Sequence, residues 1–323
     1  MESLKGSRVL VTGGAGFIGS HIVGELLKTE VSEVVVYDNL ARGQKSYLDD
    51  HLDDERLNFF LDGADIRDID LLDSAMKGCD YVFHTAAMWL LHCKDFPRTA
   101  FKVNIEGTFN ILEACVKHKI KKLVYSSSAS VYGDAIELPM TENHPFLNKN
   151  FYGSTKIAGE AMCRAYYDRY SLDYVGLRYM NVFGPNQDQK AAYTGVIPIM
   201  LNKIDDRDPP VINGDGSQAY DFIYVKDVAR ANILSIESSS TDEFYNVGSG
   251  VQTSINELCD LILKLKNSSL KVSYKPYSED DARQMVQNRI GCPKKAKKDL
   301  NFFPEYNLEE GLLELIKWRQ RNQ

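Results

Sequence analysis

The stretch Val9-Leu10-Val11-Thr12-Gly13-Gly14-Ala15-Gly16-Phe17-Ile18-Gly19 decides the fold. Its apolar start reads as a buried strand, and from Phe17 onward apolar residues recur at helical spacing. Between the two, Gly13, Gly16 and Gly19 fall in a G-x-x-G-x-x-G pattern. A tight turn needs one residue without Cβ, close approach of backbone to a pyrophosphate a second, and helix-on-sheet packing a third. The helix start then offers free N–H groups and a positive dipole end to phosphate. Glycines alone say little, but glycines set between a strand and a helix read as a dinucleotide site. The next strand pattern, 34–37, ends in Asp38, 19 residues after Gly19. A carboxylate there can accept both adenine-ribose hydroxyls and repels a 2′-phosphate, so NAD is expected rather than NADP. Arg42 is read as a surface residue.

Working outward, apolar runs at 9–11, 34–37, 57–61, 81–84 and 123–125 read as buried parallel strands. Helix patterns at 17–28, 71–76 and 101–117 separate several of them. This βαβ order predicts an α/β fold with a Rossmann-type, doubly wound parallel sheet. A long helix over 152–170 and a strand over 174–179 follow. Beyond 181, segments shorten and loops gain Gly, Pro and Asp. The expected organisation is an NAD-binding domain over 1–180 and a smaller substrate-binding lobe over 181–323, interwoven with the first. KKAKK at 294–298 reads as a solvated helix start.

The chain has 323 residues, 44% of them hydrophobic, enough for a large core. A formal charge of −7 argues against nucleic acid as a partner. No apolar run reaches the roughly 20 residues of a membrane span, and MESLKGSRVL lacks a signal-peptide core. The six cysteines form no C-x-x-C pair and read as buried thiols of a reducing compartment. A cytoplasmic enzyme is expected, with no membrane partner. No His, Cys and carboxylate cluster suggests a metal, and His84 reads as a packed strand-end residue.

Tyr152 and Lys156 stand at i and i+4, on one face of the expected helix. An ammonium beside a phenol favours phenolate, so Tyr152 can act as a base. The same lysine can hold the nicotinamide ribose. Ser126-Ser127-Ser128 ends a preceding strand, where a hydroxyl can share the substrate proton. Both Tyr152 and Lys156 are present, which disfavours the alternative of a redox-sensing regulator that binds NAD without chemistry.

The motifs TGGAGFIGS, YDNLARG, DGADIRD, HTAA, VNIEGTFNILEA, YSSSASVYG, YGSTK, LRYMNVFGP, DFIYVKDVA and YNVGSG run nearly the whole chain. In this order they resemble the extended short-chain dehydrogenase/reductases acting on nucleotide sugars: 4-epimerases, 4,6-dehydratases and decarboxylases. The resemblance implies that Gly13, Gly16, Phe17, Ile18 and Gly19 hold pyrophosphate, Asp38 and Asn39 ribose, and Asp65 and Ile66 adenine. Ala86 and Ala87 would line the nicotinamide, and Asn104 would brace the strand ends. Ser128, Tyr152 and Lys156 would form the catalytic set, with Met88, Ser128, Asn181 and Arg283 toward the substrate. It further implies a homodimer through two helices, one around Phe101, Ile105, Thr108 and Leu112, the other bearing Ala158, Ala161 and Ala165.

Two departures stand out. Tyr220 replaces an Arg that in the family often meets substrate phosphate. Ser128-Ala129-Ser130 replaces the Thr-Asp-Glu of many dehydratases, which favours a 4-epimerase acting on a UDP-glucose or UDP-N-acetylglucosamine type of substrate. HTAAMWLLHCKDFP, and the chain as a whole, are nonetheless more similar to 4,6-dehydratases acting on GDP-N-acetylglucosamine in legionaminic-acid biosynthesis. The leading expectation is therefore an NAD-dependent 4,6-dehydratase, with His92, on a loop over the sugar, as acid–base at C5 and C6.

Overall fold

The computed structural model describes residues 2–188, 195–279, 283 and 285–322. Seven strands form one parallel sheet: β1 (Arg8–Thr12), β2 (Glu33–Asp38), β3 (Leu57–Asp62), β4 (Tyr81–His84), β5 (Lys122–Ser128), β6 (Tyr174–Tyr179) and β7 (Glu243–Val247). Their order across the sheet is β3-β2-β1-β4-β5-β6-β7. The direction of winding reverses between β1 and β4, and ligands bind outside the carboxyl ends of strands at such a switch point.

Side chains alternate across this sheet, so each strand feeds two cores. Val9, Val11, Val34, Val36, Phe83 and Val124 pack into one, with residues of the helices Phe17–Leu27 and Val225–Glu237. Leu10, Val35, Tyr37, Val82, Leu123 and Tyr125 pack into the other, with residues of Ile69–Met76, Gly107–Lys117 and Phe151–Tyr170. Burial on both faces is why these strands read as unbroken apolar runs. A third core, including Phe183, Met200, Phe222, Leu258 and Leu312, lies within the later chain.

The later chain also completes the sheet. β7 is its edge strand, paired with β6, and Val225–Glu237 covers part of one face. The sequence boundary at 180 is thus crossed by the main core. Buried Asp221 ties together separate segments of the later chain: it accepts from Ser249 N (2.7 Å), Ser249 Oγ (2.6 Å), Gly250 N (3.0 Å) and Gly291 N (3.3 Å).

Two local expectations need correcting. The helix pattern at 101–117 is a wider π-helical turn, Phe101–Glu106, followed by α-helix, Gly107–Lys117. Asn104 lies in that turn and braces the chain after β4. Its Oδ1 accepts from Met88 N (2.6 Å), and its Nδ2 donates to Met88 O (2.8 Å) and Thr155 Oγ1 (3.1 Å). Residue 92 lies not in a loop but in a short helix, Leu90–Asp95. The 294–298 run does start a helix, Lys294–Leu300. All six cysteines are buried and unpaired. Among the described residues, no helix is long and apolar enough to cross a membrane.

A buried ion pair ties the long helix to the sheet. Arg178 donates to Glu160 through Nε (2.9 Å) and Nη2 (2.7 Å), and its Nη1 reaches Tyr132 Oη and Glu142 O, each at 2.8 Å. Ser127 Oγ donates to the same carboxylate (2.5 Å). Both side chains of the pair are about 5% exposed. Removing one partner strands the other charge in the core. Arg178→Met should lower stability by about 3–5 kcal/mol, whereas Glu160→Gln with Arg178→Met should cost less. Urea unfolding of the two variants checks this.

Candidate active site

The glycine turn is shaped by contact. Gly13 has φ +70°, and a Cβ there would sit 2.8 Å from Ala86 N. A Cβ on Gly19 would lie 2.0 Å from Gly13 O. With no side chain in the way, the Phe17–Leu27 helix starts against the end of β1 and aims its N-terminus into the switch-point cleft. The cleft is a cavity of about 520 Å³, within the roughly 300–1,000 Å³ usual for cofactor sites. Gly13, Gly16, Phe17, Ile18 and Gly19 line it, as do Asp38, Asn39, Asp65, Ile66, Ala86, Ala87, Tyr152 and Lys156. Asn104, also expected in the cofactor set, is not among the lining residues; the glycine cradle that a Cβ would fill fits a dinucleotide.

Asp38 ends β2 with its oxygens held by Ala15 N (3.0 Å) and Leu40 N (2.8 Å), each leaving acceptor capacity for a ribose hydroxyl. Gly43 makes room, since a Cβ there would stand 2.8 Å from both oxygens. Asn39 Nδ2 donates to Asp65 (2.9 Å), and Arg67 clamps the same carboxylate through Nε (2.9 Å) and Nη2 (2.8 Å). The Arg67 hydrogen bond is the main reason that Asp65 is held down to about 2. Arg42 is exposed, as expected, and also pairs with Asp188 (3.1 Å), stacks on Trp89 at 4.5 Å and lines the cleft.

At the inner end, the Phe151–Tyr170 helix carries Tyr152, Lys156 and Glu160 on one face toward β5. Lys156 is buried, its Nζ donating to Ser126 O (2.7 Å) and lying 5.6 Å from the Tyr152 ring centroid. Burial lowers its pKa to about 8. Burial also pushes the Tyr152 phenol well above its ordinary value, and the hydrogen bond from Ser128 pulls it back only in part. His84 is a packing residue, buried between Thr12 Oγ1 (2.8 Å) and Thr108 Oγ1 (3.0 Å), with burial lowering its pKa to about 3.

A second cavity of about 310 Å³ opens beside the first, and Tyr152 and Trp89 belong to both. Ser127–Ser130, Tyr179, Asn181, Phe222 and Arg289 help to line it. Ser128 and Asn181, expected toward the substrate, both line this second cavity. Met88 and His92 line the cofactor cleft instead, His92 against Trp89 at 5.9 Å between ring centroids. Arg283 is not among the lining residues; its side chain is 78% exposed and lies 4.0 Å from Glu279. Trp89 and Arg289 were not singled out from sequence. Neither belongs to a local pattern, and Arg289 stands far along the chain from the Tyr152–Lys156 pair.

The cofactor end yields a direct test. Purified protein should carry NAD, and Asp38→Ala should weaken NAD by roughly tenfold or more while weakening NADP less. Calorimetric titration of stripped protein with each dinucleotide reads the difference, and equal losses would count against Asp38 as the ribose acceptor.

Comparison with known proteins agrees with this geometry. Residues 9–248 match the family described as "NAD dependent epimerase/dehydratase family". A "Putative UDP-glucose 4-epimerase" of Methanocaldococcus jannaschii is 38% identical over 97% of this chain and 99% of its own. The solved UDP-N-acetylglucosamine 4-epimerase of Methanobrevibacter ruminantium, in complex with UDP-N-acetylmuramic acid, superposes with TM-score 0.92 at 36% identity, over 99% of this chain and 100% of that one. A dTDP-glucose 4,6-dehydratase of Streptomyces venezuelae with NAD bound gives TM-score 0.90 at 27% identity, over 98% and 97%. With a parallel sheet, a glycine cradle and a Tyr–Lys pair at its switch point, this chain belongs to the NAD-dependent epimerase/dehydratase family of nucleotide-sugar enzymes.

Proposed function

We propose that this enzyme is a nucleotide-sugar 4-epimerase acting on a UDP-hexose. One observation carries the choice. Among the described residues lining the cavity beside Tyr152, there is no carboxylate and no imidazole. Loss of water across C5 and C6 needs an acid and a base beyond the pair that works at C4. Ala129 and Ser130 cannot supply them, and His92 lines the cofactor cleft rather than this cavity. Epimerisation needs only what is present, and the 4-epimerases among the relatives above add support. The 4,6-dehydratase reading, with GDP-N-acetylglucosamine as substrate, takes second place.

In this reading, Tyr152 accepts the proton of the 4-hydroxyl and Ser128, bonded to the phenol, shares it. NAD, held by the glycine turn and Asp38, would supply the hydride acceptor. Lys156, anchored on Ser126 O, holds ribose and adds a positive charge. Tyr152 would give the proton back once the sugar, turned over as the 4-ketone, is reduced again at C4. Asn181 lines the cavity on the substrate side, its Nδ2 donating to Asp221 O (3.2 Å) and its Oδ1 left to accept.

The proposal extends to a homodimer. Thr108 and Leu112 pack on the sheet, so the outward face of the first helix is a different stripe. Phe101 and Phe109 remain 51% and 45% exposed there, beside exposed Ala161 and Ala165 of the long helix. A second copy covering this face would bury both.

With UDP-glucose or UDP-N-acetylglucosamine, the product should keep the substrate's mass and change its ring couplings by NMR. Tyr152→Phe should lose roughly a hundredfold or more in turnover with binding little changed. A product lighter by one water would restore the dehydratase reading. By light scattering the protein should weigh twice 36.5 kDa, and Phe109→Glu should shift it toward the monomer.

A further inference from the structure

Among the described residues, Arg289 has no paired counter-charge. It stands on the short strand Asn288–Arg289, in register with Tyr220 on Ala219–Tyr220, and lines the same cavity as Ser128, Ser130 and Tyr152. Its Nε is buried with no hydrogen-bond partner. Among the described residues no carboxylate lies within ion-pair distance of its guanidinium. The one carboxylate that acts on its charge, Asp134, is already committed: one oxygen accepts from Gln287 N (2.9 Å), and the other is paired with Lys149. Tyr220 cannot serve either, because its hydroxyl donates to Val286 O (2.8 Å). Desolvation lowers the Arg289 pKa, yet a guanidinium stays charged at any ordinary pH. Arg289 is half-buried, with its Nε shut off from water; an unpaired charge held so costs stability, and a bound anion would offset that cost.

The position of the cation says which part of the substrate meets it. Tyr152 and Ser128 must touch the 4-hydroxyl, so the lining they share with Arg289 belongs to the sugar. Asp134, whose charge acts on Arg289, follows the turn Ala129–Val131 that leaves β5 directly after Ser128. The planar fork of a guanidinium suits a carboxylate in two parallel hydrogen bonds. We infer that Arg289 receives a carboxylate carried on the hexose, so that the preferred substrate is a nucleotide-linked acidic sugar, such as a hexuronate. This inference rests on the nucleotide-sugar reading of the cavity and narrows its substrate class.

The test is competition and turnover on the NAD-loaded enzyme, with UDP-glucuronate and UDP-galacturonate against UDP-glucose and UDP-galactose. The wild type should bind the uronates more tightly. Arg289→Gln should weaken uronate binding by about tenfold or more, leave the neutral sugars nearly unchanged, and so erase the preference. Arg289→Lys should restore part of it. Equal weakening of neutral and acidic sugars by Arg289→Gln would place the arginine on the diphosphate and overturn the inference. A wild type that prefers the neutral sugars would overturn it without any variant. Turnover separates this from the epimerase reading. Loss of carbon dioxide or of water from a tightly bound uronate would leave Arg289 in its role while ending the 4-epimerase proposal.

Discussion

The closest backbone approach in the active site is that of Gly19 to Gly13 O, where even a Cβ would lie 2.0 Å from the oxygen. Everything at the cofactor end depends on that approach. It fixes the start of the Phe17–Leu27 helix at the end of β1, and so aims unpaired N–H groups into the switch-point cleft. It also leaves space between the turn and the chain after β4, where Ala86 N comes within 2.8 Å of a hypothetical Gly13 Cβ. Alanine at Gly19 would push helix and turn apart, and the cleft would lose its floor.

The opposite wall is organised by one face of one helix. Tyr152, Lys156 and Glu160 recur every four residues along Phe151–Tyr170 and meet three successive positions near the end of β5: Ser128, Ser126 O and Ser127 Oγ. The deepest of the three, Glu160, is neutralised by Arg178 on β6. The middle one, Lys156, is bonded to a carbonyl and not to a carboxylate, so its charge remains free to act on the cleft. The outermost, Tyr152, faces both cavities. A structural ion pair thus anchors the helix that carries the reactive phenol, and rigid support of this kind keeps a catalytic group in its productive geometry.

Charge is handled differently in the two cavities. Arg67 in the cofactor cleft is clamped on Asp65, and Arg42 on Asp188. Arg289 in the second cavity has no such partner among the described residues. The position that the family often fills with arginine, 220, holds a tyrosine whose register neighbour is Arg289. The positive charge stands one strand away from where the family pattern places it, closer to the turn that follows Ser128.

The sequence by itself determined the parallel sheet, the glycine turn, Asp38 and the Tyr152–Lys156 pair, because each is a local pattern tied to a backbone requirement. Alternation in burial comes from the pleat, the glycines from close approach, and the i, i+4 pair from helical pitch. Tertiary structure decided the rest. The edge strand β7 and the helix Val225–Glu237 come from beyond residue 181, where no local pattern says which sheet edge lies open. The chain after β4 could equally have placed His92 over the sugar, but a short helix set it in the cofactor cleft. Arg283 and Arg289 are both arginines of one segment, and only strand pairing with Ala219–Tyr220 turns Arg289 to the cavity and leaves Arg283 in solvent. Side-chain surroundings of that kind arise from residues distant in the chain, and desolvation, which decides what a charged group can do, depends on them all at once.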